Sequence, residues 1–176
     1  GDTVLLLGET RPYPLAHFDL DACLYPGPCT AKHSEANAVA WVRAAQKDEA
    51  IRHHIGVAHG SLEGFSPDVE DRYYPMRRSE LADTGVRLWL IGHTHVPYPA
   101  APGPRETIFC AGTPEPDGFD RTHEGCAWSL SLADDGSVAA RCVRSGILFY
   151  EEDEARDLVR AAVERGMSVA IHAEGN

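Results

Sequence analysis

The stretch RLWLIGHTHVPYP, residues 87 to 99, decides the reading of this chain. Its apolar run stops at Gly92, and His93 and His95 follow with one residue between them. A short apolar run closed by glycine reads as a buried strand. On an extended backbone, residues two apart point to the same side, so both imidazoles can face one site, and Gly92 lets the backbone come close to whatever they hold.

The same pattern occurs once more upstream. HIGVAHG, residues 54 to 60, is a second apolar run, and it ends in His59 and Gly60. Three imidazoles at the ends of neighbouring buried strands would converge on one sheet edge, where ligands of such sheets sit. The other histidines carry no such pattern. His53 and His54 are adjacent and face opposite ways; His17, His33, His123 and His172 have no partner at ligand spacing, so all six read as structural or surface residues.

Farther out, TVLLLG (3–8) reads as a buried strand and residues 15–25 as another, after which YPGPCT turns the chain. SEANAVAWVRAAQKDEAIRHH (34–54) is the best helix pattern, with Ser34 as its cap and Ala38, Val39, Trp41 and Val42 as an apolar stripe. A polar loop over 60–77 leads to a short helix at RSELADTG, then to the strand VRLWLIG. TIFCAG follows as a strand, and CAWSLSLADDGSVAARCVRSG as a hairpin about Asp135 and Gly136. The end, 151–176, reads as an acidic-started helix stopped at Gly166, then a strand. Helix-linked and hairpin-linked strands together predict an α/β or α+β fold with a mixed sheet.

Composition bounds the function. The 176 residues are 43% hydrophobic, enough for one domain with a core. No window reaches the roughly 18 uninterrupted apolar residues of a membrane span, and the first residues lack the basic start of a signal peptide, which predicts a soluble, cytoplasmic protein with no membrane partner. Five cysteines without a Cys-x-x-Cys pair predict reduced thiols serving mostly as core filler. The formal charge of −11 argues against a general nucleic-acid coat. The one basic cluster, Arg72 with Arg77 and Arg78, lies in the loop after His59 and could hold a phosphate; an ordinary solvated loop fits it equally.

VAHG, then LIGHTHVP, then FCAGTPEP with a downstream EG, resembles in order and spacing the second half of a calcineurin-like metallophosphoesterase, with the layout of the SbcD-type DNA repair exonucleases. The likeness covers residues 50 to 145. It maps the family's metal-binding positions onto His59, His93 and His95, and its Gly-Ser-Pro-like turn onto Gly112, Thr113 and Pro114. The family's earlier motifs, Asp-x-His, Gly-Asp-x-x-Asp and Asn-His-Asp, have no counterpart in this chain. The resemblance therefore implies a single partial domain over 1–176, with a core bearing the ligand motifs at 1–150 and a terminal helix and strand at 151–176. It implies a layered β-sandwich flanked by helices and incomplete on its N-terminal side, so that a partner chain or a missing N-terminal half would complete the site and cover the open sheet.

The activity implied is metal-dependent hydrolysis of a phosphoester, DNA among the substrates, at a dinuclear centre in which His59 and His93 ligate one ion and His95 the other. Manganese suits the mixed nitrogen and oxygen ligands, and iron or zinc fits the same types. The fragment alone is expected to be inactive, because the bridging carboxylate belongs to the motifs it lacks. Two other classes stay open on the residues: a single zinc held by the three histidines with water in the fourth position, and a non-catalytic module that keeps the fold without the chemistry.

Overall fold

Ile55 lies between Leu24 and Leu88, and that row of apolar side chains marks the centre of a parallel sheet. The computed structural model describes residues 4–66, 72–103, 105–114 and 125–144, which fall in two compact units, Gly1–His93 and Thr94–Asn176. In the first unit β2 (Ala22–Gly27), β3 (His53–His59) and β4 (Leu88–Gly92) run parallel, and β1 (Tyr13–Pro14) pairs antiparallel with β2, so the sheet is mixed, as expected. Helix is sparse; α1 (Arg78–Ala82) is the short helix expected between β3 and β4. This is a sheet-rich, α/β-type fold.

In β3 and β4 the core sits where the apolar runs predicted it. Ile55 and Leu88 are fully buried, and the Trp89 ring covers Gly56 so closely that a Cβ there would lie 2.2 Å from it. The indole Nε1 of Trp89 is buried with no hydrogen-bond partner among the described residues.

Three sequence expectations need correction in this unit. The segment 34–54 is not a helix: it holds a 3₁₀ turn at Ala40–Arg43 between bends, and its last two residues open β3. Tertiary contacts override the alanine-rich propensity. Ser34 is drawn into a bridge with Tyr73, Asn37 Oδ1 accepts the Val39 N–H, and the Trp41 indole donates to the Pro26 carbonyl at 3.0 Å. Residues three apart eclipse in 3₁₀ geometry, so Val39 and Val42 go down together and are buried. Lys47 folds back to donate to the carbonyls of Val42 and Ala45, and burial lowers its pKa.

The run at 3–8 is not a buried strand either. Val4 and Leu6 are 73% and 81% exposed, and no strand is formed over 4–8. An apolar run becomes a strand only when another backbone pairs with it, and none does so there among the described residues. The strand expected over 15–25 is split: Ala16–Phe18 is a 3₁₀ turn ending at Asp19 with φ 58, and pairing resumes only at Ala22.

In the second unit β6 (Cys126–Leu132) and β7 (Val138–Arg144) form the expected hairpin. Its turn has Gly136 at φ 80 and Asp135 Oδ1 accepting the Ser137 N–H at 2.8 Å. β5 (Ile108–Cys110) exchanges backbone hydrogen bonds with Tyr98, and Phe109 meets Trp128 edge to face at 5.4 Å. The sulfurs of Cys126 and Cys142 are bonded to each other, which corrects the expectation of five reduced thiols. The two sit diagonally across the hairpin with Cα atoms 5.8 Å apart, a separation a disulfide spans. Cys23 and Cys110 are buried, as core filler should be; Cys29 is exposed. The helix and strand expected over 151–176 lie outside the described residues, as do His123 and His172. Among the described residues no helix is long and apolar enough to cross a membrane.

Candidate functional site

The C-terminal ends of β3 and β4 are in register, His59 opposite Gly92, and the Gly60 N–H donates to the Gly92 carbonyl at 3.3 Å. His93 is the first residue beyond that pairing. The two imidazoles therefore leave adjacent parallel strands at the same sheet edge, with ring centroids 5.3 Å apart and planes at 73°. Two imidazoles sharing one ion through bonds of about 2.1 Å would hold their centroids about 4.5 to 5.2 Å apart, for angles from square to tetrahedral. The observed 5.3 Å lies just beyond the tetrahedral end of that range.

The backbone around the pair is unusual at two positions. His93 has φ 104, a region that costs a residue with a side chain about 1–3 kcal/mol and persists only where surroundings over-determine it. Gly60 has no room for a side chain: a Cβ would lie 2.5 Å from the Tyr74 carbonyl and 2.9 Å from that of Tyr73. The glycine after His59 thus admits the Arg72–Tyr74 backbone to this end of β3.

That segment carries residues that the motif spacing did not single out. The Tyr73 ring lies 4.9 Å from His93 at 31°, and His33 lies 4.9 Å from Tyr73 on its own account. His33, expected to be structural or surface, comes from the loop after β2, so all three parallel strands send an aromatic or imidazole ring to this edge directly or through a neighbour. Cys29, from the same loop, directs its thiol to the His59 carbonyl at 3.3 Å, and burial pushes its pKa up. No spacing rule links residue 33 or 73 to residue 93; long-range contacts such as the bridge between Ser34 and Tyr73 bring the loops together. His53 and His54 stand at the opposite end of β3, where His54 Nδ1 meets the Tyr25 hydroxyl at 2.8 Å.

His95 belongs to the second unit and is exposed. Its carbonyl accepts the Thr113 N–H at 3.3 Å, and Gly112, at φ 71, approaches so closely that a Cβ would lie 2.9 Å from that same oxygen. The Gly112–Thr113–Pro114 turn thereby fixes the His95 backbone. Thr113 Oγ1 is buried with no hydrogen-bond partner among the described residues.

Charge near the first-unit site is not that of a phosphate groove. A cleft of about 420 Å³ beyond Ser61 is lined by Glu35, Glu63 and Glu80 against Arg77 alone, and Glu80 is already engaged by Asn37 and the Arg77 N–H. Among the described residues no group of three or more His, Cys, Asp or Glu side chains could hold a metal ion. No family model matches the sequence, and a search of curated proteins finds no match.

Proposed function

We propose that this chain is the histidine-bearing part of a calcineurin-like metallophosphoesterase with the layout of an SbcD-type DNA repair exonuclease. The observation that supports it most is the pairing of His59 and His93 near one-ion spacing on the ends of adjacent parallel strands. In this reading His59 and His93 hold one divalent ion, manganese or one of its neighbours, and His95 serves a second. The ions would supply positive charge for in-line hydrolysis of a phosphoester. The chain's own contribution is to orient imidazoles: the β3–β4 register sets His59 beside Gly92, the turn at His93 brings the second imidazole to it, and the Gly112–Thr113 turn holds the His95 backbone.

The proposal includes a supplier for the carboxylates. Two like-charged ions about 3.5 to 4 Å apart need a bridging acid, and the described residues gather none at the pair. A preceding segment or a partner chain bearing Asp and Asn ligands completes the site, within the layered sandwich of that family. The acidic lining of the cleft beyond Ser61 argues against contact with an extended duplex.

The test is hydrolysis of bis(p-nitrophenyl) phosphate and of DNA ends with manganese, by the 176-residue chain alone and with the Asp- and Asn-bearing segment supplied. The expected result is turnover only in the completed protein, abolished by His93→Ala. Turnover that survives His59→Ala, His93→Ala and His95→Ala in the completed protein would sink the assignment.

A further inference from the structure

We infer that Tyr73 is a positioning residue for His93, a role that rests on the proposed metal pair and extends it. The backbone on either side of Tyr73 is pinned from two loops. The Ser34 N–H donates to the Arg72 carbonyl at 2.7 Å, the Tyr74 N–H donates to the Ser34 carbonyl at 2.8 Å, and the Ser61 N–H donates to the Tyr73 carbonyl at 2.7 Å. The buried Tyr74 side chain locks the same segment to the loop after β2. Its hydroxyl accepts the N–H groups of Thr30 and Ala31 at 2.9 and 2.8 Å and donates to the Ala31 carbonyl at 3.0 Å.

With its backbone held in this way, Tyr73 presents its ring to His93 at 4.9 Å and 31°, near enough to parallel for offset stacking. His59 meets His93 edge to face at 5.3 Å, and His33 meets Tyr73 at 4.9 Å. The His93 imidazole is thus in contact with a phenol and an imidazole. A free histidine samples three χ1 wells and a two-fold χ2, about six arrangements, of which one ligates. Confining the ring to that one removes an ordering cost from metal binding, the gain that neighbours of metal ligands commonly supply. The pinned segment is also why Gly60 follows His59: a side chain there would displace the carbonyls that carry Tyr73.

The experiment is calorimetric titration with nickel(II), whose affinity for imidazole exceeds that of manganese, so that the pair binds measurably without the missing carboxylates. The proteins compared are the parent chain, Tyr73→Phe, Tyr73→Leu and His93→Ala, each with the thermal midpoint of the metal-free form. Tyr73→Phe should bind within about twofold of the parent, because the ring is kept. Tyr73→Leu, which keeps bulk but not a flat face, should bind about fivefold or more weakly. Should the Leu variant not fold, Tyr73→Met takes its place. Equal affinity for the Phe and Leu variants, whether both match the parent or both are weak, overturns the stacking role. Unchanged nickel binding in His93→Ala instead removes the metal pair on which the inference rests, so the two failures are distinguishable.

Discussion

His59 and His93 face each other edge to face across the ends of two neighbouring parallel strands, their centroids 5.3 Å apart. Neither residue chose that separation alone. Parallel neighbours lie about 4.8 Å apart; the residue in register with His59 is Gly92, and His93, one place beyond it, meets His59 only through its own backbone turn at φ 104. The register, set by Ile55 between Leu24 and Leu88 in the buried centre, is transmitted along two stiff strands to the sheet edge. Packing energy in the core thus becomes positional accuracy at the pair.

Opposite ends of β3 should respond differently to loss of an imidazole. His54→Ala removes one partner of the buried Tyr25 hydroxyl, which also bonds the Cys23 side chain, so it should cost about 0.5–1.5 kcal/mol, the net value of one hydrogen bond, and should not change nickel binding. His59→Ala should do the reverse, weakening nickel binding about tenfold or more with little change in the urea midpoint. Paired urea titrations and calorimetry on both variants check this.

Gly60→Ala should be costly for a residue change of one methyl. The added carbon would meet the carbonyls of Tyr74 and Tyr73 at 2.5 and 2.9 Å, and both oxygens belong to backbone that cannot rotate away. The strand end or the Arg72–Tyr74 segment must shift, at about 1–3 kcal/mol. Urea unfolding gives the loss of stability, and amide exchange at Ser61, whose N–H donates to Tyr73, should accelerate in step.

In the second unit, Trp128 donates its indole N–H to the Cys110 carbonyl at 2.9 Å, and the same oxygen accepts the Tyr98 N–H at 2.9 Å. Trp128→Phe removes one of two bonds, so the carbonyl is not left unsatisfied. The expected cost is therefore only about 0.5–1.5 kcal/mol, the net value of one hydrogen bond, plus lost packing against Phe109. A thermal shift much larger than that of Gly60→Ala would show that the oxygen depends on Trp128.

The strands that carry the histidines were legible because each is a short apolar run with a glycine at its end, and burial on both faces leaves such a run no other use. The β6–β7 hairpin was legible from alternation about Asp135 and Gly136. The segment 34–54 misled because its helical stripe and its 3₁₀ packing call on the same residues: Val39 and Val42 are three apart, a spacing that both geometries place on one face. What decided between them was Trp41 reaching Pro26 and Ser34 reaching Tyr73, contacts fifteen and thirty-nine positions away in sequence. The exposed run at 4–8 misled for a simpler reason, since apolarity states a need for a partner and does not supply one. At the site, His59 and His93 could be paired from their motifs, whereas Tyr73 and His33 arrive through loop-to-loop hydrogen bonds that leave no periodic trace.

Cys29 offers a probe of the same edge by pH. Its side chain is exposed, unlike those of Cys23 and Cys110, so it should be the free thiol that iodoacetamide reaches first in the native protein. Although the residue is exposed, partial desolvation of its thiol raises its pKa above the ordinary 9.0, so the native state holds the proton more tightly than the unfolded chain does. Two consequences carry opposite signs for the chemist and for the fold. The alkylation rate, which follows thiolate, should reach half its maximum above pH 9.0 in the native protein and near that value in urea. Stability contributed by the proton is fully present below the unfolded value and is lost as pH rises through the higher folded one. Because the Cys29 thiol points at the His59 carbonyl, an alkylated Cys29 should also weaken nickel binding at the pair. A native rate profile that coincides with the one in urea would show that the thiol is not held in that environment.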